Sequence, residues 1–156
     1  KNVALILEAF ELLWKDNYDV SLTLVYNNTW HEESLLSRLK KHQLMNKKLF
    51  LVYGASDREL SFEYKSSSFF VSASLYEGYG LGLAEALNFG CTVFASDIPT
   101  YRELFANNVH FFKTNKFTLR DKIISQLNRK KELAKFRPYT WKSSSKLLLR
   151  KVINVK

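Results

Sequence analysis

The sequence predicts an α/β fold in which a parallel β-sheet is covered by helices on both faces. Short apolar segments such as 49–53 and 92–95 have the composition of strands that are buried on both sides. Segments with apolar residues at helical spacing lie between the strands, and the connections have the lengths typical of βαβ units. Because no repeat, low-complexity run or Pro/Gly-rich linker divides the chain, we expect residues 1–156 to form a single domain.

The first two elements are a helix and a strand. Residues 3–15 carry apolar side chains at helical spacing, with Asn2 as a candidate N-cap, and residues 20–26 alternate in polarity as a strand does. A doubly wound sheet usually begins with a central strand rather than with a helix. We therefore expect the parent protein to supply that strand, and more, upstream of Lys1.

Two capping boxes mark the next helices. Residues 29–32 and 56–59 each have Ser or Thr followed three positions later by Glu, a pattern that begins helices. The first helix is predicted to run to about Leu44 and the second to be short. Between them, the apolar strand 49–53 is closed by Gly54.

The second half of the chain continues the alternation. A strand at 68–72 and a loop at 73–80 precede a helix over 80–88, which ends where Gly90 suits the left-handed C-terminal position. The remaining predicted elements are a strand at 92–95, a short helix opened by residues 100–103, a strand at 109–112, and helices near 118–135 and 140–152.

The formal net charge of +9 comes entirely from the end of the chain. Residues 129–156 hold ten basic side chains with Glu132 as their only acid, whereas residues 1–128 are balanced. This basic tail also carries Trp141 and the apolar run 147–149, a mixture suited to a membrane surface or to a partner domain. A solvated last helix that packs on its own domain is the open alternative. Without a recognition motif, the tail does not predict nucleic acid as a partner.

Simple counts exclude several other classes of protein. Cys91 is the only cysteine, so an internal disulfide is impossible and a reducing, cytoplasmic location is expected. Three scattered histidines show no metal-ligand spacing, so no metal is expected. No stretch approaches the roughly 20 apolar residues that cross a bilayer. Any membrane contact is therefore expected to be peripheral, at the inner face of the cytoplasmic membrane and through the basic tail.

The segment 72–90 has the properties of an anion-binding site. A parallel strand ends at about Ala73, and a loop with Gly78 and Gly80 leads into a helix. Ligands of open α/β sheets bind beyond the carboxyl ends of the strands, and glycine allows the backbone to approach them closely. The N–H groups of the first helical turn, with the helix dipole, favour an anion such as a diphosphate.

Two glutamates flank this anion site. Glu85 lies one turn into the helix, and helical side chains lean toward the N-terminus, so its carboxylate is expected near the anion. Because a carboxylate repels phosphate, it is better suited to neutral hydroxyls such as a ribose diol. Glu77 precedes the helix and is placed to meet what lies beyond the phosphates. The arrangement describes a nucleotide-sugar pocket, although the residues alone leave open a capped helix with two surface glutamates.

A longer motif favours the pocket. Glu77-Gly78-Tyr79-Gly80-Leu81, followed by Glu85-Ala86, resembles the E-G-(F/Y)-G-L-x-x-x-E-A signature of the retaining glycosyltransferases of family four, the "group one" transferases of GT-B architecture. Residues 90–99 are similar to that family's G-x-P-V-x-A-S-D-x-P, and the resemblance covers roughly residues 1–152. Gly82 and Thr92 depart from it, since prolines are common at both positions. The family's diphosphate-binding arginine, which precedes the lysine matched by Lys1, is not in this sequence.

The resemblance implies a Rossmann-like donor-binding domain, the C-terminal half of a GT-B glycosyltransferase whose N-terminal acceptor domain lies outside residues 1–156. It implies Glu77 and Glu85 as the catalytic pair, with Glu77 on the donor sugar and Glu85 on the ribose hydroxyls. Backbone N–H groups would bind the diphosphate together with a lysine, and the turn after the second strand would meet the base. The implied donor-binding residues are Lys1, Tyr53, Gly54, Ala55, Gly78, Tyr79, Gly80, Leu81 and Glu85.

The family transfers sugars with retention at the anomeric carbon and without a divalent metal. The resemblance thus implies an enzyme that needs no cofactor and uses a nucleotide sugar, with UDP as the expected nucleotide. The expected acceptor is a polysaccharide or glycolipid precursor, such as that of lipopolysaccharide O-antigen. A non-catalytic nucleotide-sugar-binding module is the alternative, which the length of reading frame upstream of Lys1 would discriminate. A sugar-nucleotide epimerase of GT-B fold is a third hypothesis, but its motifs differ from residues 77–85.

Overall fold

Helices and strands alternate along the residues that the computed structural model describes, 1–27 and 33–129. The helices are α1 (Val3–Lys15), α2 (Glu33–Lys40), α3 (Asp57–Ser66), α4 (Leu81–Asn88), α5 (Pro99–Phe105) and α6 (Lys116–Leu127). The strands are β1 (Leu22–Tyr26), β2 (Leu49–Tyr53), β3 (Phe69–Ser72), β4 (Thr92–Ser96) and β5 (His110–Phe112). Each of the five predicted strands is present, with ends within two residues of the prediction.

Every strand pair is parallel. Strand β1 pairs with β2, which sets Tyr26 opposite Tyr53, and β3, β4 and β5 pair in that order. Strands β1 and β3 are not hydrogen-bonded to each other, and a cavity of about 1870 Å³ lies between them. The carboxyl ends of β1 and β3 both border it.

The apolar core lies in two layers, one on each face of the strands. Helices α1, α2 and α6 pack on one face and α3, α4 and α5 on the other. Successive residues of a strand point to opposite faces, and β4 shows this directly, because Phe94 belongs to the first layer and Val93 to the second. The predicted α/β fold with a parallel sheet and helices on both faces is confirmed.

Two of the predicted helix ends have the expected local chemistry. At the start of α3, the Ser56 hydroxyl accepts from the Glu59 N–H, and the Glu59 carboxylate accepts from the Ser56 N–H at 2.8 Å, which completes the capping box. At the end of α4, Gly90 has a φ of 77°. Its N–H donates to the Leu87 carbonyl, and the N–H of Cys91 donates to the Ala86 carbonyl. These bonds form the Schellman arrangement that glycine favours.

Other helix ends differ from the prediction. Asn2 precedes α1 but adopts a left-handed conformation, so its side chain does not cap the helix. Helix α5 begins at Pro99, because proline presets the helical φ, and Thr100 therefore lies inside the helix and does not cap it. Helix α2 ends at Lys40 rather than at Leu44, since the His42 ring accepts from the backbone at residue 44 and closes a turn.

The ends of α6 also differ from the prediction, and some predicted elements lie outside the described residues. The Asn115 side chain accepts from the N–H of Thr118, so α6 begins two residues earlier than predicted; it ends at Leu127 rather than near residue 135. The capping box at 29–32, the helix predicted near 140–152 and all but the first residue of the basic tail lie outside the described residues.

Candidate functional site

The turn into α4 is held in one conformation by its neighbours. Gly80 is the N-cap of α4 and has a φ of 94°, which side chains rarely adopt. A Cβ atom at this position would lie 2.6 Å from Cε1 of Tyr101. The Tyr101 ring is itself buried, and its hydroxyl is 2.7 Å from that of Ser72 at the end of β3. Glycine is thus required where the backbone passes over α5.

The first turn of α4 offers N–H groups to an anion. Leu83 and Ala84 donate back to the carbonyl of Gly80, whereas the N–H groups of Leu81 and Gly82 have no acceptor within the helix. The first turn also contains no acidic side chain. The helix dipole adds partial positive charge at this end. Together these features suit a diphosphate.

The carboxylate of Glu77 lies just before this turn and is firmly held. Its Oε1 accepts from the ammonium of Lys1 and from the Ser74 hydroxyl, the latter at 2.8 Å. Burial alone would raise the pKa of Glu77, but the hydrogen bonds from Lys1 and Ser74 outweigh it and hold the pKa below its ordinary value. The Glu77 carbonyl also accepts from the Thr100 hydroxyl at 2.8 Å. Glu77 is therefore an ionised, oriented acceptor at neutral pH.

Ser74, Ser96 and Thr100 support Glu77 and were not predicted as site residues. Ser74 and Ser96 are fully buried, and the Ser96 hydroxyl donates to the Ser74 carbonyl. Their positions at the carboxyl ends of β3 and β4 are the one sequence signal that could have identified them. Thr100 carries no such signal, since it reaches the Glu77 backbone from the first turn of α5.

Glu85 lies on the exposed side of α4 and has a different partner. Its Oε2 accepts from the hydroxyl of Tyr64 on α3, at 3.0 Å. The same hydroxyl is 3.4 Å from the carbonyl oxygen of Gly82, one turn back along α4. The Glu85 carboxylate is thus turned toward the first turn of its helix, the direction in which helical side chains lean.

The other expected donor-binding residues fall into two groups. Lys1, Tyr79, Gly80 and Leu81 border the cavity between β1 and β3 together with Glu77. The lining of that cavity does not include the turn Tyr53-Gly54-Ala55, Gly78 or Glu85.

The turn after β2 is tied to the neighbouring strand. The N–H of Gly54 donates to the carbonyl of Tyr26 at 2.8 Å, and the rings of Tyr26 and Tyr53 meet edge to face at 5.3 Å. Tyr26 also borders the cavity, beside Asn27. Tyr26 therefore links the turn to the cavity, a position that the sequence did not single out.

Two further properties concern metal ions and membranes. Within residues 1–27 and 33–129, no three His, Cys, Asp or Glu side chains gather closely enough to hold a metal ion. In the same part of the chain, no helix combines the length and the apolar character needed to cross a bilayer.

Comparisons with known proteins agree on a family. Residues 1–143 match the family model described as glycosyl transferases group 1. The serotype-specific mannosyltransferase WbdA of Escherichia coli is 37% identical over 112 residues, which cover 72% of this chain and 14% of WbdA. The O-antigen chain mannosyltransferase RfbU of Salmonella typhimurium is 32% identical over 95 residues, 61% of this chain and 26% of RfbU. The chain thus spans only a small part of these relatives.

Solved structures show the same fold. TarM superposes with a TM-score of 0.68 at 23% identity, over 82% of this chain and 26% of TarM. The UDP-GlcNAc 2-epimerase of Methanocaldococcus jannaschii, solved with UDP-GlcNAc and UDP, superposes with a TM-score of 0.66 at 19% identity, over 97% of this chain and 40% of the epimerase. At these identities the likeness concerns the fold alone.

Proposed function

Because the chain belongs to the glycosyl transferases group 1 family, we propose that it is the donor-binding half of a retaining transferase that uses a nucleoside-diphosphate sugar. The observation that carries the proposal is the N-terminus of α4. Its unpaired N–H groups, with an ionised Glu77 on one side and an oriented Glu85 on the other, match the three parts of such a donor: diphosphate, sugar and ribose.

The residues have separate roles in this proposal. The backbone N–H groups of Gly80, Leu81 and Gly82 bind the diphosphate together with the ammonium of Lys1. Glu85 accepts from the ribose hydroxyls, and Glu77 accepts from hydroxyls of the sugar. Lys1 already touches the Glu77 carboxylate, so it stands where sugar and diphosphate would meet.

The transfer chemistry that we propose is electrostatic. When the bond to the anomeric carbon breaks, negative charge develops on the leaving diphosphate, and the helix N-terminus and Lys1 stabilise it. This stabilisation needs no divalent metal. Glu77 orients the sugar and is not assigned as a covalent nucleophile.

The relatives indicate which sugar to test first. WbdA is named a serotype-specific mannosyltransferase, and RfbU is named an O-antigen chain mannosyltransferase. We propose a mannosyl donor and, as acceptor, a lipopolysaccharide O-antigen precursor or a similar polysaccharide or glycolipid. UDP remains the proposed nucleotide, with GDP and ADP as its competitors.

The acceptor would be bound by a second domain of the parent protein. In a GT-B enzyme the reaction takes place in the cleft between two domains, of which this chain provides one. We place the reaction in the cytoplasm, with the basic tail of residues 129–156 contacting either the inner face of the membrane or the acceptor domain.

Calorimetric titration with UDP, GDP and ADP, each with and without a chelator, tests the proposal. We expect one nucleotide to bind with micromolar or weaker affinity and to bind equally well in the chelator. Pyrophosphate is the control, because it measures attraction to the basic tail without a nucleoside. Loss of binding on chelation would contradict the metal-independent mechanism, and nucleotide affinities no greater than that of pyrophosphate would contradict a nucleotide site.

A further inference from the structure

The hydroxyl of Tyr64 contacts the carboxylate of Glu85 across two helices. Tyr64 belongs to the last turn of α3, 21 residues before Glu85 in the chain. The oxygen atoms are 3.0 Å apart, well within hydrogen-bond distance. Glu85 is exposed on α4, and such a glutamate ordinarily samples several rotamers. The contact therefore restricts a side chain that the helix alone would leave free.

The Tyr64 ring can orient Glu85 because it is itself fixed. Tyr64 is only 8% exposed. Its ring stacks on Phe89, with centroids 5.4 Å apart and planes at 12°, and it meets Phe70 at 5.8 Å. The thiol of Cys91 donates to the Tyr64 carbonyl at 3.1 Å. These partners come from β3 and from the end of α4, so the ring is anchored to the same elements that form the site.

The single hydroxyl proton of Tyr64 has two acceptors within reach. The Glu85 oxygen is nearer and charged, whereas the Gly82 carbonyl oxygen is 3.4 Å away, so the proton goes to Glu85. Burial, and secondarily the neighbouring Glu85, raise the pKa of Tyr64 well above its ordinary value. Tyr64 therefore stays a hydrogen-bond donor throughout the neutral range.

We propose that Tyr64 is a positioning residue for nucleotide recognition, holding one carboxylate oxygen of Glu85 so that the other is presented to the ribose hydroxyls. The proposal rests on the role assigned to Glu85 above and adds a residue to it. Fixing the carboxylate before the nucleotide binds removes part of the ordering cost of binding.

The Tyr64→Phe variant tests this positioning role. It keeps the buried ring and removes only the hydroxyl. Binding is measured with UDP and GDP, each beside its 2′,3′-dideoxy analogue, which lacks the ribose hydroxyls. We expect the wild-type chain to prefer the ribonucleotide. In Tyr64→Phe that preference should fall roughly two- to tenfold, the worth of one hydrogen bond, while affinity for the dideoxy analogue stays unchanged.

Two further variants sharpen the test. Tyr18→Phe removes a phenol hydroxyl from a residue that packs against the other core layer, and it should bind both ligands as the wild type does. In a Glu85→Gln background, Tyr64→Phe should have little further effect, because the hydroxyl acts through the Glu85 carboxylate. Both ligands are measured on the same sample, so their ratio is informative even if the variant is less stable.

The outcomes separate this proposal from the proposed function. If Tyr64→Phe lowers the affinities for the ribonucleotide and for the dideoxy analogue equally, Tyr64 has only a structural role and the proposal is wrong. If Tyr64→Phe binds both ligands with the affinities of the wild type, the proposal is wrong, but the proposed nucleotide site is not contradicted. If the wild-type chain itself shows no preference for the ribonucleotide, the ribose role of Glu85 is wrong, and this inference falls with it.

Discussion

Glu77 and Glu85 flank the same helix N-terminus but are held by different partners. Glu77 is bound by an ammonium and a buried serine, whereas Glu85 is bound by a neutral phenol on α3. The difference matters for the proposed function, in which the carboxylate next to Lys1 lies where sugar and diphosphate would meet. A carboxylate held by a neutral donor can instead accept from a diol without competing with a cation.

Replacing each glutamate by glutamine should separate their roles. Glu85→Gln removes the charge that is proposed to accept from the ribose. It should therefore lower the affinity for the free nucleoside diphosphate by roughly ten- to a hundredfold, the worth of a charged hydrogen bond. Glu77→Gln should leave the affinity for the free nucleotide nearly unchanged and lower the affinity for the nucleotide sugar. Calorimetry with UDP, GDP and the matching nucleotide sugars measures both. Equal weakening of the free nucleotide by the two variants would contradict the division of roles.

Gly80 and Gly78 form a matched pair of glycines in one loop. A methyl group at Gly80 would clash with the Tyr101 ring in a left-handed backbone, whereas a methyl group at Gly78 would have no neighbour within 4 Å. Gly80→Ala should therefore lower the free energy of unfolding by about 1–3 kcal/mol, and Gly78→Ala should leave it nearly unchanged. Urea unfolding of both variants tests this, and a similar loss in both would show that the close contact at Gly80 has no energetic consequence.

The sequence predicted the residues of this site to different degrees. The sequence predicts Glu77, Gly80 and Glu85 as site residues because the motif and its local geometry lie within nine residues. It does not predict Tyr64 and Thr100, because their contacts join residues 21 and 23 positions apart on different elements: Tyr64 of α3 contacts Glu85 of α4, and Thr100 of α5 contacts the loop residue Glu77. Contacts of that kind depend on how helices pack on the sheet, and no local pattern encodes them.

At the level of elements, the strands and the best-capped helices were predictable from local chemistry. The capping box at Ser56 and the glycine at residue 90 use bonds within a few residues of the chain, so their sequence patterns are sufficient. Asn2 and Thr100 have the right residue types, but a left-handed backbone at the first and the preceding Pro99 at the second prevent capping. Residue type alone does not determine a cap when neighbouring backbone conformation competes.

Strand β5 carries a titratable group that makes stability depend on pH. Burial, and then the positive charges of Lys122 and Arg129, lower the pKa of His110. The native state therefore favours the neutral ring. The contribution of His110 to the free energy of unfolding is fully present above the pKa of histidine in the unfolded state, which is about 6.5. That contribution is lost as the pH falls through the lower pKa of His110 in the native state.

Urea unfolding at pH 7.5 and 5.5 measures this effect. The free energy of unfolding should fall between the two pH values by more in the wild type than in His110→Gln, because glutamine does not titrate. The remaining histidines are common to both chains and cancel in the comparison. Equal falls in the two chains would mean that the ring of His110 is solvated in the native state.

For the whole molecule, the proposed function makes the described residues one wall of a cleft. In that proposal, strands β3 to β5 and helices α4 and α5 hold the candidate donor site, and the opposite wall would have to position the acceptor. Orienting two reactants can lower an activation barrier by roughly 7–11 kcal/mol. One domain alone cannot provide that orientation.

Residues 1–156 alone should therefore hydrolyse a nucleotide sugar slowly at most, since water can still reach the donor carbon. Release of free sugar, and transfer to an O-antigen acceptor, should be compared with those of the parent protein. Transfer at a comparable rate by residues 1–156 would mean that this chain holds a complete active site.

The proposed function requires a nucleoside diphosphate to bind at the N-terminus of α4. Backbone amide chemical shifts of the ¹⁵N-labelled chain, followed during titration with UDP and GDP, test it most directly. We expect the amide signals of Gly80, Leu81 and Gly82 to shift most and to saturate together, with smaller changes at Glu85. In Glu85→Gln, the same signals should need a higher ligand concentration to saturate. Shifts confined to the basic tail of residues 129–156, with residues 80–82 unchanged, would contradict it.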